Sequence, residues 1–195
     1  MSLWGNSDAD ESKPKNLTTA EKKEVYATAS GWVREAGSAL SGNSNTSADP
    51  EVLVAISALS TNLGAADVTE VEWITTAADK SEGFTLSVRV RYNEAVAVTG
   101  SPTLAVTNGN QGSGSGRGPH TLVYASGTGT NELVFSLVIA AANAATNAND
   151  VLVVGAQNIA LAGGTLKDAT GTASNAAVAI SADQGTACGS ITVVA

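Results

Sequence analysis

The stretch FTLSVRVRY, residues Phe84–Tyr92, decides the fold because its apolar residues recur at every second position. These apolar residues share one face of an extended chain, and they are Phe84, Leu86, Val88, Val90 and Tyr92. Thr, Ser and Arg residues occupy the positions between them. Alternation with period two is typical of an antiparallel strand that has one face on a core and the other in water. We therefore predict a half-buried strand here.

The same alternation returns in LVFSLVI, residues Leu133–Ile139. Shorter segments rich in β-forming residues cover 69–75, 94–99, 103–107, 120–125, 151–154, 159–162, 165–167, 178–180 and 191–194. About seven to nine short strands with turn signals between them favour a mainly β fold, an antiparallel β-sandwich. A parallel α/β sheet would need amphipathic helices between the strands, and the sequence shows none.

The composition excludes several classes of function. The chain has 195 residues, of which 43% are apolar, 4% aromatic and 14% charged, with one Cys and one His. One Cys excludes a disulfide framework and a cysteine-based zinc site. The net charge of −8 argues against a nucleic-acid partner, because phosphates need Lys and Arg to neutralise them. No apolar run is long enough to cross a bilayer. We expect no membrane span, no cofactor, no metal ion and no enzyme activity.

The chain divides into three parts by composition. Residues 1–17 form a polar N-terminal arm without the apolar run of a secretory signal. Residues 18–66 form a small β-containing subdomain, which begins with a capping box and continues with a short hairpin over 25–34. A buried strand follows over 51–56, and the sequence ALSTNLG after it leaves a helical turn open. Residues 67–195 form the sandwich.

Positive charge and tryptophan gather near the N-terminus. The first 35 residues contain half of the Lys and Arg residues and two of the three Trp residues, and the rest of the chain is acidic. A tryptophan in an aromatic-poor chain is costly to leave in water, so it indicates docking. Our candidates for contact with a partner are Trp4, Lys13, Lys15 and Trp32. Docking of the tryptophans on the protein's own small subdomain is an equal alternative.

The run GSGSGRG at Gly112–Gly118 does not fit a dinucleotide fingerprint, because the third glycine position falls on Arg117 or Pro119. We predict a flexible hairpin loop. His120 lies alone at the start of the next strand, so we interpret it as a surface residue and not as a general base. The candidates for an exposed loop are Gly112, Gly114, Arg117 and His120.

Two further positions receive structural interpretations. Glu70 and Glu72 share one strand face, which we interpret as a solvated acidic face and not as a catalytic carboxylate pair. Cys188 lies between Ala187 and Gly189, and we interpret it as a small core or turn residue.

Three motifs follow one another between Phe84 and Gly171. They are VRVRYNEAVAVTGSPTLAV at 88–106, LVYASGTGTNELVFSLVI at 122–139 and IALAGGTLKDATG at 159–171. This series resembles a bacterial immunoglobulin-like repeat of large surface proteins. The matching positions include Glu94, Gly100, Pro102, Leu104, Tyr124, Gly127, Phe135, Gly163, Asp168 and Gly171. The resemblance implies an Ig-like antiparallel β-sandwich and brings no catalytic residue with it, since a fold does not assign a function.

The N-terminal third carries Ser2-Leu3-Trp4-Gly5, an acidic spacer that ends in Lys13-Pro14-Lys15, then Val25-Tyr26-Ala27-Thr28 and Gly31-Trp32-Val33. This order resembles the leader of virion structural proteins in tailed phages of marine bacteria. The resemblance implies a capsid decoration protein, located in the virion and assembled in the host cytoplasm. Its partner would be the major capsid protein or another virion protein.

Two other functions stay open at this point. One alternative is adhesion, in which the Ig-like module binds host surface polymers such as glycans. The other is a component of the neck or tail of the virion. A single repeat without a signal segment differs from host surface adhesins, which string many repeats behind a signal peptide. A monomer and a closed homo-oligomer are both compatible with the sequence.

Overall fold

One long central strand, β6, organises the structure. The computed structural model describes residues 13–14, 16–109, 119–171 and 173–195. The helices are α1 (Thr19–Lys23), α2 (Leu59–Asn62) and α3 (Ala182–Cys188), with a 3-10 turn at Ala39–Ser41. The strands are β1 (Val25–Thr28), β2 (Gly31–Arg34), β3 (Glu51–Ala55), β4 (Val68–Trp73), β5 (Ala78–Asp79), β6 (Phe84–Thr99), β7 (Thr103–Gly109), β8 (His120–Ser126), β9 (Thr130–Ile139), β10 (Val151–Val153), β11 (Gln157–Asn158), β12 (Thr165–Asp168), β13 (Ala179–Ile180) and β14 (Ser190–Val194).

The fold is mainly β, with one large mixed sheet and one small sheet, which is consistent with a β-sandwich and confirms the predicted class. The large sheet runs in the order β3-β2-β1-β6-β9-β8-β7-β10-β14-β5, and β4 and β12 also pair with β6. The small sheet pairs β11 with β13. Most pairings are antiparallel, as predicted for the sandwich, and two are parallel: β1 of the small subdomain with β6, and β14 with β5. Both parallel contacts extend over only one or two residue pairs, because each joins a short segment that returns over the sheet.

A bend in β6 divides that strand into two halves. Its first half pairs with β4 and its last residues pair with β12, both antiparallel. Against β9, the register shifts between Arg91 and Val96, so β6 advances by more residues than its neighbour. Such an irregularity bends a strand and increases its local twist. Ala27 of β1 pairs with Glu94 inside this bend, and the small subdomain therefore joins the sandwich there.

The apolar side chains form two separate clusters. The larger one extends from Ala66 to Val193 and contains the predicted face of β6, with Leu86, Val88 and Val90 fully buried. The alternation predicted for that strand is confirmed. The smaller cluster contains Val25, Ala27, Trp32 and Leu59, with Leu17, Leu53, Val54, Ile56 and Leu63 packed against it.

Local signals in the N-terminal region are confirmed. Thr18 and Glu21 make both bonds of the predicted capping box at α1. β1 and β2 form the predicted hairpin, and α2 provides the helical turn that the sequence left open. The strand β3 is present, but the prediction that it is buried was wrong. It is the terminal strand of the sheet path, and the small cluster covers only part of it.

The helix α3 was not predicted from the sequence. Its start carries a second capping box, in which Ser181 accepts a hydrogen bond from the Gln184 amide at 3.2 Å and Gln184 Oε1 accepts one from the Ser181 amide at 2.8 Å. The pattern Ser-x-x-Gln was the available signal. Among the described residues, no helix is long and apolar enough to cross a membrane.

Glycine is required in the turn between β8 and β9. Gly127 has φ +112°, and a Cβ atom there would lie 1.9 Å from the Glu132 carbonyl oxygen. Because no side chain fits this approach, the turn that aligns the two strands depends on glycine.

Candidate functional site

Arg91 joins the small subdomain to the sandwich. Its Nη1 donates to Glu35 Oε2 at 2.6 Å, just beyond β2, and lies 2.9 Å from Glu132 Oε1 on β9. Its Nε and Nη2 donate to Glu72 Oε1 on β4, each at 3.2 Å. The Arg91 side chain is only 9% exposed, so its charge depends on these carboxylates. The guanidinium thus holds three elements together at the bend.

Two further cations extend this junction network. Lys23 at the end of α1 pairs with Glu70 on β4, and Arg89 Nη1 lies 2.9 Å from Glu72 Oε1. Arg89 Nη1 also lies 3.5 Å from Glu132 Oε1. We use the name junction network for Lys23, Glu35, Glu70, Glu72, Arg89, Arg91 and Glu132. Its contacts link the small subdomain to β4, β6 and β9.

Glu35 and Glu132 form a coupled carboxyl pair inside the junction network. Burial, together with the hydrogen bond between the Glu132 and Glu35 carboxyl groups, raises the pKa of Glu132 to about 7. The network has four carboxyl groups and three cations, so one carboxyl group that keeps its proton brings the cluster to neutrality. We assign that proton to Glu132, the member whose pKa is raised.

The junction network corrects the interpretation of Glu70 and Glu72. We expected a solvated acidic face, but Glu70 is buried and pairs with Lys23 of the small subdomain, and Glu72 pairs with Arg91 on the neighbouring strand β6. The reason is that β1 and α1 fold over this face of β4. The alternation in FTLSVRVRY located Arg89 and Arg91 on the outward face, yet it gave no sign that another part of the chain covers them.

Trp32 does not lie on a surface that a partner could reach. Its side chain is fully buried in the small cluster, next to Val25 and Leu59. The prediction that it contacts a partner is therefore corrected, and the alternative that it docks on the protein's own subdomain describes it. The reason is that a hairpin of four-residue strands needs one large side chain to build a core.

Lys13 is also buried, and its Nζ donates to the carbonyl oxygen of Lys22 near the end of α1. A cation at the end of a helix satisfies a free carbonyl and complements the helix dipole. Its predicted role as an exposed attachment residue is corrected accordingly. The candidates Trp4 and Lys15 lie outside the described residues.

His120 is buried, which corrects its prediction as an exposed-loop residue. Its Nε2 lies 3.1 Å from Thr146 Oγ1, and both Thr146 and nearby Asp150 are fully buried. Burial lowers the pKa of the imidazole, and the charge of Asp150 raises it again in part. The chain between β9 and β10 covers the start of β8, which the sequence did not reveal. Gly112, Gly114 and Arg117 lie outside the described residues.

The free end of the small subdomain presents a strand edge and a cleft. Within the part of the chain that the structure describes, β3 pairs only with β2, and Val52 in β3 is 53% exposed. A cleft of about 250 Å³ opens beside it, lined by Glu35, Ala36, Gly37, Ser41, Asn43, Asp49 and Glu51. Since Glu51 is also the first residue of β3, the strand edge and the acidic cleft form one continuous surface, which we call the β3 edge.

Cys188 at the end of α3 is half-buried and free, and it packs against the larger cluster, as interpreted from the sequence. Burial raises the pKa of its thiol to about 11, with smaller contributions from Glu72 and Glu70. The thiol therefore stays protonated at neutral pH. Within the described ranges, no group of three or more His, Cys, Asp or Glu side chains is placed to hold a metal ion.

Comparison with known proteins gives no family for this chain. No family model, no curated protein and no solved structure matches it. The resemblances to an Ig-like repeat and to a phage virion leader therefore stay predictions from the sequence.

Proposed function

We propose that the protein is a structural component of a phage virion, a capsid decoration protein that docks through its N-terminal region and projects its β-sandwich outward. The partner is the major capsid protein or another virion protein. The observation that carries this proposal is the β3 edge, a free strand edge on a subdomain that is itself fixed to the sandwich.

The β3 edge has the chemistry of a docking site for an extended segment. A terminal strand presents backbone N–H and C=O groups that can pair with another chain, and main-chain pairing supplies affinity in such complexes. Val52 offers an exposed apolar contact in the middle of β3. The cleft beside it contains Glu35, Asp49 and Glu51, so it suits a Lys or Arg side chain of the docked segment.

The junction network adjoins the β3 edge through Glu35, which lines the cleft and also pairs with Arg91. Its ion pairs fix this subdomain against β4, β6 and β9, and a partner bound at the β3 edge is thereby held in a fixed relation to the sandwich. The excess negative charge lies beyond residue 35. Like charges on neighbouring copies repel each other, which favours soluble, separated sandwiches on a crowded particle.

The first experiment asks whether the protein is in the virion. Mass spectrometry of purified virions, from the phage that carries the gene, should detect the chain, and cryo-electron microscopy should locate its density on the head. Absence of the protein from purified particles would refute the proposal. Density at the neck or tail would replace the decoration role with another virion role.

The second experiment tests the β3 edge with a matched pair of variants. Val52→Lys places a charge on the edge strand, while Val194→Lys places the same charge on β14, where the valine is equally exposed at 53%. Particles that lack the protein should bind wild type and Val194→Lys equally in co-sedimentation, and bind Val52→Lys at least about tenfold more weakly. Trp4→Ala tests the contribution of the arm in the same assay. Equal binding of both lysine variants would exclude docking at the β3 edge.

A further inference from the structure

A second set of buried polar groups joins the small subdomain to the sandwich, apart from the junction network. Glu94 of β6 is fully buried, and its Oε1 has no hydrogen-bond partner. Asp168, the last residue of β12, is 3% exposed. Within the described residues, neither carboxylate takes part in an ion pair. Two carboxylates without a cation are expensive to bury close together.

Thr170 brings the oxygen atoms of this set together. Its Oγ1 lies 2.8 Å from Asp168 Oδ1, 3.4 Å from Glu94 Oε2 and 3.0 Å from the carbonyl oxygen of Ser60 in α2. A threonine hydroxyl has one hydrogen to donate, so it can satisfy only one of these three acceptors. The Thr170 amide donates to Asp168 Oδ1 at 2.6 Å, so Glu94 Oε2 and the Ser60 carbonyl oxygen are left to share the single hydroxyl hydrogen.

Ser60 provides a second buried polar atom without a hydrogen-bond partner among the described residues. Its side chain is fully buried, and its Oγ has no hydrogen-bond partner. It belongs to α2 of the small subdomain, whereas Glu94 and Asp168 belong to the sandwich. A buried polar atom without a partner costs free energy, and buried polar groups in native proteins are almost always satisfied. Among the described residues, two such atoms belong to residues of this contact: Glu94 Oε1 and Ser60 Oγ.

We propose that Glu94, Asp168, Thr170 and Ser60 form a binding site for a divalent cation, Ca²⁺, which clamps α2 of the small subdomain to β6 and β12. Ca²⁺ takes six to eight oxygen ligands at 2.3–2.6 Å in flexible geometry, and it accepts carboxylate, hydroxyl, carbonyl and water oxygens together. The side chains and the Ser60 carbonyl supply this mixture, and water completes the shell. Mg²⁺ demands a stricter octahedron and dehydrates reluctantly, so it fits this site less well.

A proton is the competing occupant. Burial raises the pKa of Glu94 to about 8, and the charge of Asp168 adds to this shift. A protonated Glu94 would relieve the repulsion between the carboxylates and supply one hydrogen to these oxygen atoms, but it would not serve all the others, Ser60 Oγ among them. A cation satisfies all of them at once. The two occupants predict different responses to Ca²⁺ and to Glu94→Gln.

The test measures thermal unfolding of the full chain at pH 7.5 after treatment with EDTA. A ligand present at about 100 times its Kd should raise the Tm of a chain of this size by about 5–10 °C. CaCl₂ should therefore raise the Tm of the wild type, MgCl₂ should raise it less, and NaCl of equal ionic strength should leave it unchanged. Calorimetric titration of Ca²⁺ into the wild type should show one site per chain.

Three variants locate the site. Glu94→Gln and Asp168→Asn should each abolish the Ca²⁺-dependent rise in Tm, and Glu82→Gln, a change at an exposed glutamate, should retain it. Circular dichroism checks that each variant is folded, and Glu94→Gln tests the site even if Asp168→Asn does not fold. No response of the wild type to Ca²⁺ would overturn the proposal and leave the proton as occupant. An undiminished response in Glu94→Gln would also overturn it, because the ion would then bind elsewhere.

Discussion

Replacing Glu94 with Gln in the absence of divalent cations should make the protein more stable, and the gain should grow with pH. The pKa of Glu94 is raised from 4.5 to about 8, first by burial and then by the charge of Asp168. Between these two values the folded chain binds more protons than the unfolded chain, so the stability from this group falls as pH rises. Gln keeps the shape of the protonated acid and does not titrate.

The magnitude follows from the two pKa values. One pKa unit corresponds to about 1.4 kcal/mol. With a pKa of 4.5 in the unfolded chain and about 8 in the folded chain, Glu94 lowers the free energy of unfolding by roughly 3 kcal/mol between pH 5 and pH 7.5. Glu132, with its pKa raised to about 7, adds a loss of the same sign that both proteins share. The difference between wild type and Glu94→Gln therefore isolates Glu94.

Urea denaturation in EDTA, followed by tryptophan fluorescence at pH 5, 6, 7 and 7.5, measures this difference. The free energy of unfolding of Glu94→Gln minus that of wild type should rise steadily over the series. Glu82→Gln, at an exposed site, should give a difference close to zero at every pH. A difference for Glu94→Gln that stays flat from pH 5 to pH 7.5 would refute the reasoning, since Glu94 would then titrate as it does in the unfolded chain.

Three further predictions concern stability, each measured by urea denaturation at pH 7. Arg91→Ala should cost about 3 kcal/mol, because it removes the most buried cation of the junction network and leaves Glu35 without its partner. Arg89→Ala, with a side chain 29% exposed, should cost about 1 kcal/mol. Equal costs would contradict the role given to Arg91. Trp32→Ala should cost about 3–5 kcal/mol by emptying the small cluster, and a cost below about 1 kcal/mol would show that this cluster is not a core. Ser181→Ala should cost about 1 kcal/mol through loss of the α3 cap, and an unchanged stability would mean that α3 does not need it.

The strands of the sandwich could be predicted because the alternation of apolar and polar residues is a local pattern in the sequence. Alternation in Phe84–Tyr92 and in Leu133–Ile139 reports which face of each strand is apolar, and burial of Leu86, Val88 and Phe135 follows directly. The capping box of α1 and the hairpin of β1 and β2 are equally local patterns.

The junction was not predictable from the same signals. The position of Arg91 opposite Glu35 depends on two elements that are 56 residues apart in the chain, and no periodicity encodes that approach. The prediction that His120 is exposed was wrong for a related reason, because the segment that covers this side chain follows β9 in the chain. A lone polar residue in a strand reveals nothing about a loop that folds over it. The burial of Glu94 falls in the same class, since α2 covers it from another part of the chain.

The continuity of β6 has a mechanical consequence. Its 16 residues extend over about 50 Å and include the Arg91 contacts, the Glu94 pairing with β1 and the long ladder with β9. A pull on the sandwich reaches the small subdomain through this single strand as well as through the connection between α2 and β4. The Ala27–Glu94 pairing with β1 and the contact between Arg91 and Glu35 join β6 to the small subdomain, so they share this load and must yield together. The two parts of the molecule should consequently separate under force in one abrupt step instead of unzipping gradually.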